Sequence, residues 1–348
     1  MNQLGWRPFF AHQLASDESE AVTPARVTAV HRTLLEVLTS AGELQVTLPG
    51  LIAQQGLAET VAVGDWLLVD ARNGRVIRVL ERQSTLARLA AGERQQRQLI
   101  AANVDTLFIV TSCNDDFNLS RLERYFALAN AAGVEPVVVL TKADLSADVN
   151  RYLDELRDTA PNVIALAVNA TAPAGVHVLA PWLAAGQTVA FAGSSGVGKS
   201  TLVNTLSMSN VQGTAGIRED DSKGRHTTTS RQMLQLQGGA WVIDTPGMRE
   251  LKLHVGEQAL NAVFDDIEVL SAQCKFRDCA HQDDEGCAIW AAINRGELDE
   301  RRLMSYQKLL REAANASRTV RERRERERQF GKLVKSVMKQ KRVDRGQE

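Results

Sequence analysis

No run of about 18 consecutive apolar residues occurs in the 348-residue chain, which speaks against a membrane-spanning helix. Net charge is also absent. The 41 Lys and Arg are matched by 42 Asp and Glu, so the whole-chain balance predicts no polyanionic partner. Cysteine is sparse: there are 4, three of them between Cys274 and Cys287, which is not the pattern of a disulfide framework. The start, MNQLGWRPFFAHQLASDESE, lacks a basic stretch leading into an apolar one, so no secretory signal is expected. These absences together predict a cytoplasmic chain. No internal repeat is apparent.

What is present is a globular composition, 44% apolar and 24% charged, long enough for two or three domains. Charge is uneven, however. Between Arg318 and Arg345 there are 12 Lys and Arg against 4 Asp and Glu, a local +8. That excess is greater than helical salt bridges would cancel, and it predicts contact with a polyanion that weakens as salt rises.

From Ala25 to about Arg88 the segments RVTAV, LLEVLT, LQVTL, DWLLVD and RVIRVL read as short strands. Turn signals at Ala41-Gly42, Pro49-Gly50, Gly64-Asp65 and Asn73-Gly74 separate them. Five such strands predict a small antiparallel barrel of the oligonucleotide-binding (OB) type. Beyond Asn103, apolar strands alternate with helical stretches, which indicates a mostly parallel α/β sheet. From about Lys252 the chain reads as helical, with Leu260, Val263, Phe264, Ile267 and Leu270 on one face.

Residues 193–200, GSSGVGKS, follow the apolar strand TVAFAG and open the helical TLVNTL. That is the context of a phosphate-binding loop. Gly193, Gly196 and Gly198 let the backbone curl, so that the N–H groups of Gly193, Ser194, Ser195, Gly196, Val197, Gly198 and Thr201 converge on phosphate oxygens. Lys199 supplies charge to the transferred phosphate, and Ser200 a hydroxyl to Mg²⁺. DTPG, Asp244–Gly247, follows the strand AWVIDT. Asp244 can hold Mg²⁺ through water, and the Gly247 N–H can sense a γ-phosphate.

LTKAD, residues 140–144, sits where another strand ends. Asp144 can accept from N1–H and the N2 amino group of guanine, Lys142 can lie along the base plane, and Thr141 belongs to the same candidate base-binding loop. This base reader precedes the phosphate loop in the chain, whereas nucleotide switches generally have the reverse order. Both meet at the carboxyl edge of a parallel sheet, so joining old termini and reopening the chain elsewhere preserves the site. The order predicts a circularly permuted GTPase, in which the segment after DTPG runs straight into the C-terminal domain and could pass on movements of Gly247.

GRHTTTS, residues 224–230, lies between these motifs. One of Thr227, Thr228 and Thr229 is expected on Mg²⁺ and the γ-phosphate; spacing does not choose, and Thr228 is taken to represent them. Met248 occupies the place after DxxG where many switches have a water-orienting glutamine, so intrinsic hydrolysis should be slow. His226 is the candidate substitute.

CKFRDCAHQDDEGC supplies Cys274, Cys279, His281 and Cys287. Three thiolates and one imidazole suit a closed, structural tetrahedral Zn²⁺ site.

GDW after a small barrel, AANVD, TKAD, GSSGVGKS, GRHTTT, DTPG and CKFRDCAH…GC, in that order over roughly residues 25–310, resemble the ribosome small subunit-dependent GTPase A (RsgA) family. The resemblance implies a late assembly factor of the small ribosomal subunit, with an OB barrel, a permuted GTPase domain, a zinc-containing C-terminal domain and hydrolysis stimulated by the subunit. The family's switch histidine, proposed to assist hydrolysis, falls at His226. Thr141 departs from the usual asparagine, which removes an amide that would tie the guanine loop to its neighbours. Val168-Asn169-Ala170 stands where a Ser-Ala pair is more usual.

The expected organisation is multidomain α/β. It comprises an N-terminal extension (1–24), an OB-fold-like barrel (25–95), a circularly permuted P-loop GTPase domain (96–251), a helical zinc-binding domain (252–317) and a basic tail (318–348). The expected partners are GTP and GDP, Mg²⁺, one Zn²⁺, and the small subunit with its rRNA; a monomer is expected. Two other readings compete. One is a permuted GTPase with a non-ribosomal partner. The other is an RNA-binding factor with a weakly active nucleotide site.

Overall fold

The two most continuous apolar runs lie at the centre of the sheet. Strands β8 (Thr106–Ser112) and β11 (Thr188–Ala192) are buried at every position and pair in parallel. Burial of both faces is what a parallel sheet covered by helices requires. The computed structural model describes residues 1–15, 22–31, 34–48, 60–70, 72–89, 97–208, 231–244, 256–282 and 284–317. The switch segment 209–230, the stretch 245–255 and the tail 318–348 lie outside the described residues.

The strands before β8 are β1 (Val22–Val30), β2 (Leu35–Thr39), β3 (Gly42–Val46), β4 (Trp66–Asp70), β5 (Val76–Val79), β6 (Thr85–Leu89) and β7 (Arg97–Ala102). Those after it are β9 (Glu135–Thr141), β10 (Ile164–Ala167), β11, β12 (Arg231–Gln235) and β13 (Trp241–Asp244). The helices are α1 (Pro8–Ala11), α2 (Leu119–Ala132), α3 (Val149–Thr159), α4 (Pro173–Val176), α5 (Lys199–Met208), α6 (Glu257–Asn261), α7 (Asp265–Ser271), α8 (Ala288–Asn294) and α9 (Glu300–Ser317).

Among the described residues, the main sheet runs β10-β9-β8-β11-β13-β12-β1-β2-β3, with β4 on β1 and β5 on β4. Strands β10 to β13 along this path are parallel, and β12 is antiparallel to β13. Helix α2 starts where the Asn118 side chain accepts from Arg121 N and stops at Gly133, φ 69°.

The five expected N-terminal strands are all present and antiparallel. They enclose Ala25, Val27, Leu35, Val37, Leu67 and Val69. No ladder joins β3 to β5 among the described residues. Strand β1 reaches past this unit to pair with β12, with Ala29 opposite Gln232 and Val30 opposite Arg231. The N-terminal strands and the parallel sheet are therefore continuous. The expected boundary at 95/96 falls between the paired strands β6 and β7, so that hairpin belongs to both sides of it.

The N-terminal extension has structure that periodicity did not suggest. Trp6 and Phe10 pack on Trp66, with ring centroids 4.8 and 5.8 Å away. The Trp241 indole N–H donates to Gln3 O at 2.8 Å, which fastens the segment to β13. Arg26, buried beneath it, donates to Leu4 O and to Thr188 Oγ1. Burial pushes the Arg26 guanidinium down to about 9, so it remains charged at neutral pH.

The apolar spacing from Leu260 to Leu270 predicts one helix, and the chain instead makes two, α6 and α7. The break is at Phe264, φ −115°, ψ 40°. Asp265, Asp266 and Glu268 then fill the first turn of α7, where carboxylates favour the positive end of a new helix. Leu260, Phe264 and Ile267 still enter one core with Ile289, Ala292 and Leu303, and Ala127 of α2 joins it.

Candidate nucleotide site and metal centre

Strand β11 ends at Ala192, and the chain turns at once into the Gly193–Ser200 loop. Gly193 has φ 141°, and a Cβ there would lie 2.1 Å from Val110 O, so both its conformation and its contact with β8 need glycine. Helix α5 opens at Lys199, so the positive end of its dipole lies at the loop. The Lys199 ammonium donates to Gly193 O at 2.8 Å and to Ser194 O. Ser195, Gly196, Ser200 and Thr201 are exposed at this edge.

The guanine-loop candidate is fastened to the phosphate loop by two neighbouring residues. The Thr141 hydroxyl donates to Val197 O at 2.6 Å, and Lys142, at φ 57°, donates from Nζ to Gly196 O at 3.0 Å. This corrects the expectation that threonine loses the tie an asparagine would make. Its shorter side chain makes the tie because the phosphate loop packs directly on it. Asp144 follows, exposed, on a single 3₁₀ turn over Ala143–Leu145.

Residues 168–170 complete the ring. Ala143 N donates to Val168 O at 3.4 Å, and the Thr205 hydroxyl of α5 donates to Ala170 O at 2.7 Å. Asn169 turns its Oδ1 back on Thr171 N and Oγ1, at 2.9 and 2.6 Å. The two loops and helix α5 are thus held together by bonds among themselves. Tyr125 of α2, a buried residue that no motif marked, has its hydroxyl pKa raised by burial, with the Gly193 backbone among the smaller opposing influences.

Asp244 ends β13, opposite Gln232 of β12. Its backbone lies at the same carboxyl edge of the sheet as Gly193 and Thr141. Gly247, Met248, His226 and Thr227–Thr229 lie outside the described residues.

The second cluster lies between α7 and α8. Ligand atoms of Cys274, Cys279, His281 and Cys287 all fall within 4.8 Å of one another. Thiolates about 2.3 Å from a shared tetrahedral ion would stand about 3.8 Å apart, so a small contraction closes the site. His281 Nδ1 faces Cys274 Sγ at 3.7 Å and Cys287 Sγ at 3.6 Å, while Nε2 meets Ser271 Oγ at 3.3 Å. A proton on Nε2 for Ser271 leaves the Nδ1 lone pair to a metal. Burial lowers the His281 pKa, opposed by Asp284, which favours that neutral form. The His281 N–H bond lowers the Cys279 pKa, but burial and the thiols of Cys287 and Cys274 outweigh it and push the value up to about 11. A cation that stabilised the thiolates would relieve this crowding. The four residues therefore suit a metal ion.

A parallel sheet carrying a phosphate loop after β11, with a strand-end TKAD loop earlier in the chain meeting it at one edge, is the fold of a circularly permuted GTPase. Comparison with known proteins agrees. The family profile described as RsgA GTPase matches residues 79–254. A Vibrio vulnificus relative named small ribosomal subunit biogenesis GTPase RsgA 2 is 48% identical over 341 residues, 98% of this chain and 96% of its own. A Mesorhizobium japonicum relative, named small ribosomal subunit biogenesis GTPase RsgA, is 47% identical over 88% of each chain. The crystal structure of YjeQ from Thermotoga maritima superposes with a TM-score of 0.63 at 26% identity, over 84% of this chain and 99% of that one. The chain belongs to the RsgA GTPase family.

Proposed function

We propose that this chain is a GTP-hydrolysing late assembly factor of the small ribosomal subunit, with hydrolysis stimulated by the subunit and coupled to release. The observation that carries this reading is 48% identity, over 98% of the chain, to a relative named as a small ribosomal subunit biogenesis GTPase. In this reading the chain acts as a cytoplasmic monomer, and the tail from residue 318 touches rRNA.

Each site residue then has a role. Backbone N–H groups from Gly193 to Thr201 surround the β- and γ-phosphates, with Lys199 neutralising charge that spreads over the transferred group. Ser200 and Thr228 would hold Mg²⁺, with Asp244 behind a water; the ion bridges phosphate oxygens and draws off their charge. Asp144 selects guanine through N1–H and the N2 amino group, donors that adenine does not present together. Gly247 senses the γ-phosphate. With Met248 unable to orient water, His226 does so from the switch, once the subunit positions it. Cys274, Cys279, His281 and Cys287 hold one structural Zn²⁺.

The test is GTP turnover by the purified chain with and without small subunits. Turnover alone on the order of 10⁻⁴–10⁻² s⁻¹, rising more than tenfold with subunits, is expected. Turnover that subunits leave unchanged would remove the ribosomal role.

A further inference from the structure

We infer that Thr141 positions the guanine loop on the phosphate loop without touching the base, so that the site reads the N1–H and N2 edge of guanine and is indifferent to N7. This rests on the nucleotide site proposed above and adds a specificity that no motif states.

The argument begins with proton supply. A side-chain amide has two N–H donors, so it can bond a loop carbonyl and still offer a proton to a purine acceptor. A threonine hydroxyl has one. Thr141 Oγ1 lies 2.6 Å from Val197 O and 3.1 Å from Thr111 O, and its single proton is shared between these two carbonyls. Access is closed as well. Thr141 has 0% exposure, and a Cβ on Gly198 would stand 3.5 Å from its Oγ1, so the phosphate loop itself covers it. N7 of guanine is purely an acceptor and needs a donor to be recognised, and Thr141 has neither a spare proton nor a free face to provide one.

The neighbouring side chains are held by other loop contacts: Lys142 Nζ donates to Gly196 O, and Asn169 accepts through Oδ1 from Thr171. Asp144 is exposed on the adjacent turn, an acceptor suited to N1–H and N2–H. The loop carrying it is held in register with the phosphate loop by Thr141, which links recognition of the base to the distance between base and phosphates.

The experiment is equilibrium titration of the full chain with GDP, with 7-deaza-GDP (carbon in place of N7) and with IDP (no N2 amino group). GDP and 7-deaza-GDP should bind within about twofold of each other, and IDP at least about tenfold more weakly. Thr141→Val should weaken GDP and 7-deaza-GDP in parallel, by about tenfold, since Val197 O loses its donor in a buried place. Thr141→Ser should restore both. A tenfold preference for GDP over 7-deaza-GDP in the unaltered chain overturns the inference while leaving the site reading intact. So does a Thr141→Val chain that loses GDP alone. Failure of the unaltered chain to bind any guanine nucleotide overturns both. The first comparison needs no variant, so misfolding of Thr141→Val does not affect it.

Discussion

Arg302 of α9 places its Nη1 3.1 Å from a carboxylate oxygen of Glu123, a residue of α2 with no exposed surface. Arg301 bonds the same carboxylate at 3.1 and 3.2 Å, and Arg302 also grips Asp266 at 2.7 and 2.8 Å. This buried joint fastens the C-terminal helices to α2, which packs on β8 and β9 of the GTPase sheet. It gives the C-terminal helices a connection to the GTPase sheet besides the chain that follows DTPG.

Glu123→Ala should therefore lower the unfolding free energy by about 1–3 kcal/mol, because it removes the buried acceptor shared by both guanidinium groups, while Arg302 keeps Asp266 and Arg301 keeps Asp299. The exposed pair Arg124–Glu312 nearby, 2.8 Å apart, should contribute less than about 1 kcal/mol. Urea denaturation of Glu123→Ala and Glu312→Ala separates the two. A loss under about 1 kcal/mol for Glu123→Ala would reject the joint.

The purified chain should carry one zinc per molecule by elemental analysis, and a strong chelator should remove it. Removal should lower the thermal midpoint of the α6–α9 region and leave GDP affinity within a few-fold, since Lys199 and Thr141 are in a different part of the fold. Acid should also release the ion. The His281 pKa is depressed, so the neutral ligand is fully available above the ordinary value of about 6.5 and is lost as pH falls through the lowered one. Cys287→Ser should bind zinc weakly or not at all; full occupancy in that variant would dismiss the cluster.

Phe10→Ala should cost about 3–5 kcal/mol, the range for emptying a buried aromatic site, because Phe10 is 1% exposed against Trp66. Loss of residues 1–15 should cost more, since Arg26 also loses its acceptor on Leu4 O and Trp241 its acceptor on Gln3 O. Thermal melts of the two variants test this, and a truncated chain as stable as the whole one would show the extension to be dispensable.

Lys199→Ala should reduce GDP affinity by at least about tenfold through loss of a charge-assisted phosphate contact. Global stability should change little, because the bonds it makes are to carbonyls of an exposed-edge loop. Titration and denaturation together decide it: equal affinity would mean that phosphates bind elsewhere.

The features legible in the sequence are those whose physical cause is contiguous. The phosphate loop needs glycines, a lysine and a hydroxyl within eight residues between a strand and a helix, and the metal cluster needs its four ligands within fourteen. Strand β8 is recognisable from its own apolar run, and the five N-terminal strands from their turn residues. The single helix expected from Leu260 to Leu270 shows the limit: periodicity placed its buried face, but a non-helical backbone at Phe264 split it. Tertiary structure alone decided what distant segments do to one another. Thr141 finds its acceptor 56 residues away, Glu123 its arginines about 180 residues away, and the N-terminal extension reaches Trp241 across 238. A hydroxyl, a buried carboxylate or an indole N–H acquires its role from the partner that packing places beside it, and a sequence pattern carries no record of that partner.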